Sequence, residues 1–208
     1  MSRTIQSELQ KIQIRHNNVV ILKLYVNTKN EELVQLYKKH VSKHNASLLD
    51  EETPNSGFDI FIPSEVKLYN NINSKMNINS KMIDSEVKAE MVLGIDYNMQ
   101  NDKSSPYFIF PRSSISNTSL MLANHTGVID AGYRGFLIGA FRNLDTQHTY
   151  TIEKHTRLLQ ICHPSLSPIY VVLVSEDELS KTTRGSGGFG STGLGGVSLK
   201  IGRSFIKD

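Results

Sequence analysis

Gly127-Val128-Ile129-Asp130-Ala131-Gly132-Tyr133-Arg134-Gly135 reads as a strand, a tight turn and a second strand. Val128 and Ile129 supply the apolar entry, Asp-Ala-Gly the bend, and the glycines the backbone freedom a bend needs. One carboxylate ends an apolar strand, and one aromatic ring follows three positions later. A carboxylate so placed can be partly desolvated and serve as a general base. The ring can act as a floor for a flat or sugar-like ligand. An ordinary hairpin, with Asp130 as a turn residue and Tyr133 as a packed edge aromatic, has the same local spelling. The flanking segments decide between the two.

Leu120-Met121-Leu122-Ala123-Asn124-His125-Thr126 runs into the stretch, and Phe136-Leu137-Ile138-Gly139-Ala140-Phe141 runs out of it as a strand. Upstream, the strand Tyr107-Phe108-Ile109-Phe110 leads into Pro111-Arg112-Ser113-Ser114-Ile115-Ser116. There an arginine fork and hydroxyls beside backbone N–H groups suit phosphate oxygens. Earlier still, Ser56-Gly57-Phe58-Asp59-Ile60-Phe61-Ile62-Pro63 alternates as a half-buried strand, with Phe58, Ile60 and Ile62 on one face and Asp59 on the other. Downstream, Thr151 to Ile161 carries Arg157 and Gln160, and Ile169 to Val174 is a last core strand. Finally Arg184-Gly185-Ser186-Gly187-Gly188-Phe189-Gly190-Ser191-Thr192-Gly193 offers a glycine-rich backbone that can wrap a polyphosphate. Its lone Phe189 has no core to enter, which points to folding over a ligand. No Gly-Lys-Ser/Thr follows, so it is not a Walker loop.

The 208 residues, 38% hydrophobic and 21% charged, suit one globular domain with length to spare. Strand-like runs outnumber helical ones, which predicts an all-β class. No apolar run reaches membrane-spanning length, and Met1-Ser2-Arg3-Thr4 opens no signal peptide, so no membrane association is expected. Cys162 is the only cysteine, which suits a reducing, intracellular setting (cytoplasm or nucleus) rather than secretion. A net charge of +3 with scattered lysines gives no support to nucleic-acid binding. His40 and His44 have the i,i+4 spacing of a helical metal site, but they are read on a polar face with Lys38, Lys39 and Lys43, without the intervening acid of a zincin. Residues 1–17 read as a loose polar N-terminal arm, and 18–174 as the main β domain, opening with the strand Val19 to Val26. Asn30 caps an added helix carrying Leu33, Val34, Leu36, Tyr37 and Val41. A surface insertion is expected over about 64–90, where Asn71-Ile72-Asn73-Ser74-Lys75-Met76 recurs as residues 77–82. Residues 175–208 form the expected mobile C-terminal arm, and 194–208 receive no role.

Five of these segments, in order from Ser56 to Gly193, resemble the signatures of the trimeric deoxyuridine triphosphatases (dUTPases). The resemblance implies a distorted jelly-roll-like β-barrel assembled as a homotrimer with shared active sites, the C-terminal run closing over a neighbour's pocket. It implies hydrolysis of dUTP to dUMP and pyrophosphate, which keeps uracil out of DNA and supplies dUMP. Asp130 takes the place of the base that orients and deprotonates a water for attack on the α-phosphorus. Asn124 and the backbone at Gly127, Val128, Ile129 and Ile138 fall where uracil is held, and Tyr133 where deoxyribose packs. Arg112, Ser113, Ser114, Gln160 and Arg184 fall on the phosphates. Phe189 covers the uracil, with Gly190, Ser191 and Thr192 at phosphate oxygens. Mg2+ on the triphosphate is the implied cofactor, with Asp59 near it through water. The departures are Gly132 for a usual aspartate and, in the fourth signature, His155 for glycine, Thr156 for an acid and Leu159 for alanine. The missing acid leaves the orientation of Arg112 open.

Two other readings share parts of this pattern. A dCTP deaminase of the same fold needs a glutamate on the strand after the turn, and Phe136 to Asn143 contains none. A catalytically weak nucleotide-sensing or protein-binding trimer predicts nucleotide binding without turnover.

Overall fold

The computed structural model describes residues 3–16, 19–69, 80–93 and 103–187. The first half runs α1 (Arg3–Arg15), β1 (Val20–Val26), α2 (Glu31–Asp50), β2 (Gly57–Phe61), β3 (Val66–Leu68), β4 (Lys81–Asp84) and β5 (Val87–Leu93). There follow β6 (Lys103–Ser105), β7 (Tyr107–Pro111), β8 (Leu120–Leu122), β9 (Gly127–Ile129), β10 (Ile138–Asn143), β11 (Tyr150–Ile152), β12 (Arg157–Cys162) and β13 (Ile169–Leu173).

The described strands pair in the orders β13-β1-β5-β6, β2-β12-β7-β9, β4-β10-β8 and β11-β3. All these pairings are antiparallel except that of β1 with β13. The expected alternation in β2 holds: Phe58, Ile60 and Ile62 are buried in the main core with Leu22, Leu24, Met91, Tyr107, Phe141 and Ile161. In β2-β12-β7, Asp59, Gln160 and Phe110 pair across the strands and share one face. Phe58, Ile161 and Ile109 form the neighbouring row, facing the core and continuing to Gly127 of β9.

Asn30 caps α2 as expected, its side-chain oxygen accepting from the Leu33 N–H, and Glu31 and Glu32 stand in the positive first turn. The buried stripe is Leu33, Tyr37, Val41, His44 and Leu48. His40 and His44 are therefore not on a polar face. Their rings pack on Phe58 at 4.7 and 5.1 Å, and His44 Nε2 bonds the Ile169 carbonyl at 2.8 Å.

Two further expectations are corrected. The N-terminal arm is helical across α1, because Leu9 and Ile12 bury against Leu48 and Tyr170 in a second cluster. Tyr170 also donates to Glu8 at 2.6 Å. The insertion is narrower than 64–90, because β3, β4 and β5 all join sheets. Most of the duplicated hexapeptide, residues 71–79, lies outside the described residues. No described helix is long and apolar enough to cross a membrane.

Candidate active site

The limbs of the opening stretch part company. Among the described strands β9 pairs only with β7, while β10 pairs with β4 and β8. The simple hairpin is thus opened, and a cleft of about 220 Å³ lies at its mouth. An edge strand leaves one row of backbone N–H and C=O groups unpaired, so β9 can hydrogen-bond a flat ligand as another strand would. The cleft gathers Asn124, Gly127, Val128, Ile129, Asp130, Tyr133, Ile138 and Arg184, all named from the sequence. Ile109, Leu122 and Leu137 complete the wall. These three read as core residues, and only the pairing of β7 with β9 brings Ile109 to the cleft. The volume falls short of the ~300–1,000 Å³ usual for drug-sized ligands, so it suits a base with its sugar rather than a whole triphosphate.

The turn is closed by the Tyr133 N–H donating to the Asp130 carbonyl at 2.9 Å. The Tyr133 ring folds over Gly135, where a Cβ would collide with it, and its hydroxyl donates to the Phe136 carbonyl at 2.8 Å. Burial, with Asp84 nearby, pushes the Tyr133 phenol up and keeps it neutral. Asp130 is not desolvated as expected: its side chain is 53% exposed and pairs with Arg184 at 2.9 Å. The root of the C-terminal arm is also not loose. Thr182 donates its hydroxyl to the Gly132 carbonyl, Gly185 bridges Tyr133, and the Arg134 N–H donates to the Gly185 carbonyl at 2.7 Å. The described part of the arm lies on its own chain's turn. Phe189, Gly190, Ser191 and Thr192 lie outside the described residues.

Asp59, Arg112, Ser113, Ser114 and Gln160 do not line this cleft. Arg112 Nε pairs with Asp59 Oδ1 at 2.8 Å, and Arg157 Nη1 with Asp59 Oδ2 at 3.1 Å. Arg112 Nη1 also donates to the Arg157 carbonyl (3.2 Å) and the Ser114 hydroxyl (3.4 Å). Asp59 therefore orients Arg112 in place of the acid missing at Thr156. Ser113 and Ser114 open a short 3-10 turn directly after Arg112. Gln160 donates to the Pro111 carbonyl at 3.4 Å over Gly57, where a Cβ would strike its carboxamide. His155 holds φ +64, the left-handed conformation that explains a glycine there in the resembled signature. Among the described residues no cluster of three or more His, Cys, Asp or Glu could hold a metal ion.

Sequence reasoning passed over Arg134 and Glu90, whose buried ion pair at 2.7 Å lies behind the turn. Burial raises the Glu90 carboxyl, but hydrogen bonds from Ser180 and Ser104 and the Arg134 charge more than reverse it, so its pKa lies below the ordinary value. Nothing local in the sequence pairs two residues 44 positions apart.

An all-β core with a strand-edge cleft and one carboxylate at its lip defines a class of small-ligand proteins that read their ligand through backbone. The dUTPase family model matches residues 45–193, most of the chain. The deoxyuridine 5'-triphosphate nucleotidohydrolase of Alkaliphilus metalliredigens is 35% identical over 120 residues, which span 57% of this chain and 79% of that protein. The namesake from Escherichia phage T5 is 41% identical over 88 residues, 41% of this chain and 56% of that one. Among solved structures, a point mutant of the Staphylococcus bacteriophage 80alpha dUTPase with dUpNHpp aligns at 24% identity and a TM-score of 0.39, covering 67% of this chain and 87% of that one. The chain belongs to the dUTPase family, and its fold is that family's distorted jelly-roll-like β-barrel with α1 and α2 added.

Proposed function

We propose that the chain hydrolyses dUTP to dUMP and pyrophosphate. The observation that carries this is the edge-strand cleft with Asp130 at its lip. Uracil has one hydrogen-bonding edge, and the free edge of β9, with Asn124 and Ile138 opposite, offers a matching row of donors and acceptors. Tyr133, locked to the Phe136 carbonyl, sits where a sugar packs and has no freedom to move aside for a 2′-hydroxyl.

Asp130 orients a water and takes its proton as the water attacks the α-phosphorus. In the free chain Arg184 holds Asp130, and both side chains are well exposed. Such pairs are worth about 0–1 kcal/mol, so a triphosphate displaces Arg184 readily and leaves Asp130 free as the base. Magnesium carried by the nucleotide supplies charge neutralisation and a chelated triphosphate; a substrate-borne ion that keeps its waters needs no protein cage. The donor set fits that arrangement. Asp59, whose two oxygens accept from Arg112 and Arg157, would hold such an ion through a water.

The phosphate donors belong to a second cluster: Arg112, Ser113 and Ser114 follow the end of β7, and Gln160 on β12 shares the outer face of the sheet with Asp59 and Phe110. That face carries Phe108 and Phe110, their rings 5.5 Å apart and tilted by 58°, beside Val128, which is 65% exposed. We read it as the surface on which another copy docks, in a homotrimer whose sites combine both clusters. Phe189, Gly190, Ser191 and Thr192 complete the closed site.

Release of pyrophosphate from dUTP, dCTP, dTTP and UTP with magnesium tests the proposal. Turnover of dUTP alone is expected. Deamination of dCTP, or binding of dUTP without release of pyrophosphate, would replace it with one of the two rival readings.

A further inference from the structure

Arg134 follows Tyr133 in the turn, and no role given so far uses its side chain. Its guanidinium is 9% exposed, and the Glu90 carboxylate on β5 is 2% exposed. Nη2 donates to Glu90 Oε1 at 2.7 Å, to the Ser180 hydroxyl at 2.7 Å and to the Ser104 hydroxyl at 3.0 Å. Nη1 donates to the carbonyls of Ala131 (2.8 Å) and Tyr133 (2.7 Å), and Nε to that of Ser180 (3.0 Å). Glu90 in turn accepts from the hydroxyls of Ser104 (2.7 Å) and Ser180 (2.6 Å) and from the Ser180 N–H (2.9 Å).

These partners lie in three places. Ala131 and Tyr133 belong to the turn that carries Asp130. Glu90 and Ser104 belong to the rigid pair β5 and β6. Ser180 belongs to the arm, four residues before Arg184. The Asp130–Arg184 pair closes the circuit on its far side. A buried ion pair adds little net stability, because both ions lose hydration, but its geometry is demanding. A planar fork with five N–H groups, one of Nη2's shared between two acceptors, spans these six acceptors; a lysine has three donors at one point.

We infer that Arg134, held by Glu90, is a positioning residue that couples the Asp130 turn to the root of the C-terminal arm, so that seating the arm and aligning the base are one event. The inference rests on the dUTP-hydrolysis reading of the same site. When Arg184 leaves Asp130 for a phosphate, Ser180 stays fixed on Arg134 and Glu90, and the arm pivots there instead of detaching.

Two full-length variants test it, Arg134→Lys and Ser180→Ala; the second leaves the buried ion pair intact and so preserves the fold. Misplacing a reacting group by about 1 Å costs on the order of 100-fold in rate, so kcat is expected to fall ~10–100-fold in Arg134→Lys and less in Ser180→Ala, with KM nearly unchanged. Trypsin cuts after Lys181 and Arg184. Below the unfolding temperature it is expected to release the arm roughly tenfold faster in both variants, because cleavage follows local opening. Parental kcat and parental arm cleavage in Ser180→Ala, or losses in Arg134→Lys that merely track its unfolded fraction, would overturn the coupling. The cleavage assay needs no nucleotide. A parent protein inert towards dUTP therefore refutes the proposed reaction, while the trypsin rates still decide the clamp.

Discussion

Asp130 carries the sharpest test at the level of single residues. Asp130→Asn keeps the size and polarity of the side chain but removes the proton acceptor, so kcat is expected to drop about 10²–10⁴-fold with nucleotide affinity retained. Pyrophosphate release and titration calorimetry measure the two separately. The lost pair with Arg184 is exposed, so stability is expected to move by no more than about 1 kcal/mol. Gly57→Ala makes the opposite kind of test. A methyl group there meets the Gln160 carboxamide and the Cys162 sulfur, while the backbone at Gly57 needs no special conformation. Gln160 is expected to be displaced, with a loss of turnover and little change in nucleoside affinity. Which residues the resemblance singles out was legible in the sequence. What each touches was not: Asp59 and Arg112 are 53 positions apart, and only the ladder between β2, β12 and β7 brings them together.

Among the elements, α2 shows where local reading stops. Its cap and its Leu33-Tyr37-Val41 stripe were readable, but His40 and His44 were assigned to the polar face because histidine counts as polar beside three lysines. Extended by one turn, the stripe includes His44, and packing on Phe58 then buries His44 and half-buries His40. Burial pushes the His40 pKa down to about 4, with Asp59 acting against it and His44 and Arg157 reinforcing it; His44 is lowered by burial as well. The unfolded chain therefore binds protons near the ordinary histidine pKa that the folded chain refuses. Stability is full above that value and is lost as pH falls through the interval down to about 4. The melting temperature is expected to decline between about pH 7 and pH 5, and His40→Phe, which also removes a ring nitrogen without a hydrogen-bond partner, should flatten that decline. The strands missed within 64–90 escaped for a different reason. β3 has three residues, and β4 buries only Ile83, too little for a period to register.

The whole molecule is where the proposed site becomes complete. In the proposed homotrimer Asp130→Asn damages the cleft and Arg112→Ala the phosphate cluster, so each variant alone is expected to be nearly inactive. Unfolded together and refolded, the two are expected to regain a measurable fraction of parental activity, because some sites in a mixed trimer draw on intact halves from different chains. No recovery would mean that each chain works by itself. Deleting residues 184–208 is expected to leave the melting temperature of the barrel nearly unchanged and to abolish turnover. Among the described residues the buried core ends with β13 and Leu179, whereas Arg184 lines the cleft.

The order of apolar runs and turns was enough to determine an all-β chain, and the five signatures its family, because those depend on spacing within one strand or turn. The parting of β9 from β10, the pairing of Arg112 with Asp59 and the burial of Arg134 on Glu90 were decided by tertiary structure alone. Each depends on which distant strand a backbone edge pairs with, and hydrogen bonds between strands leave no mark on the local sequence.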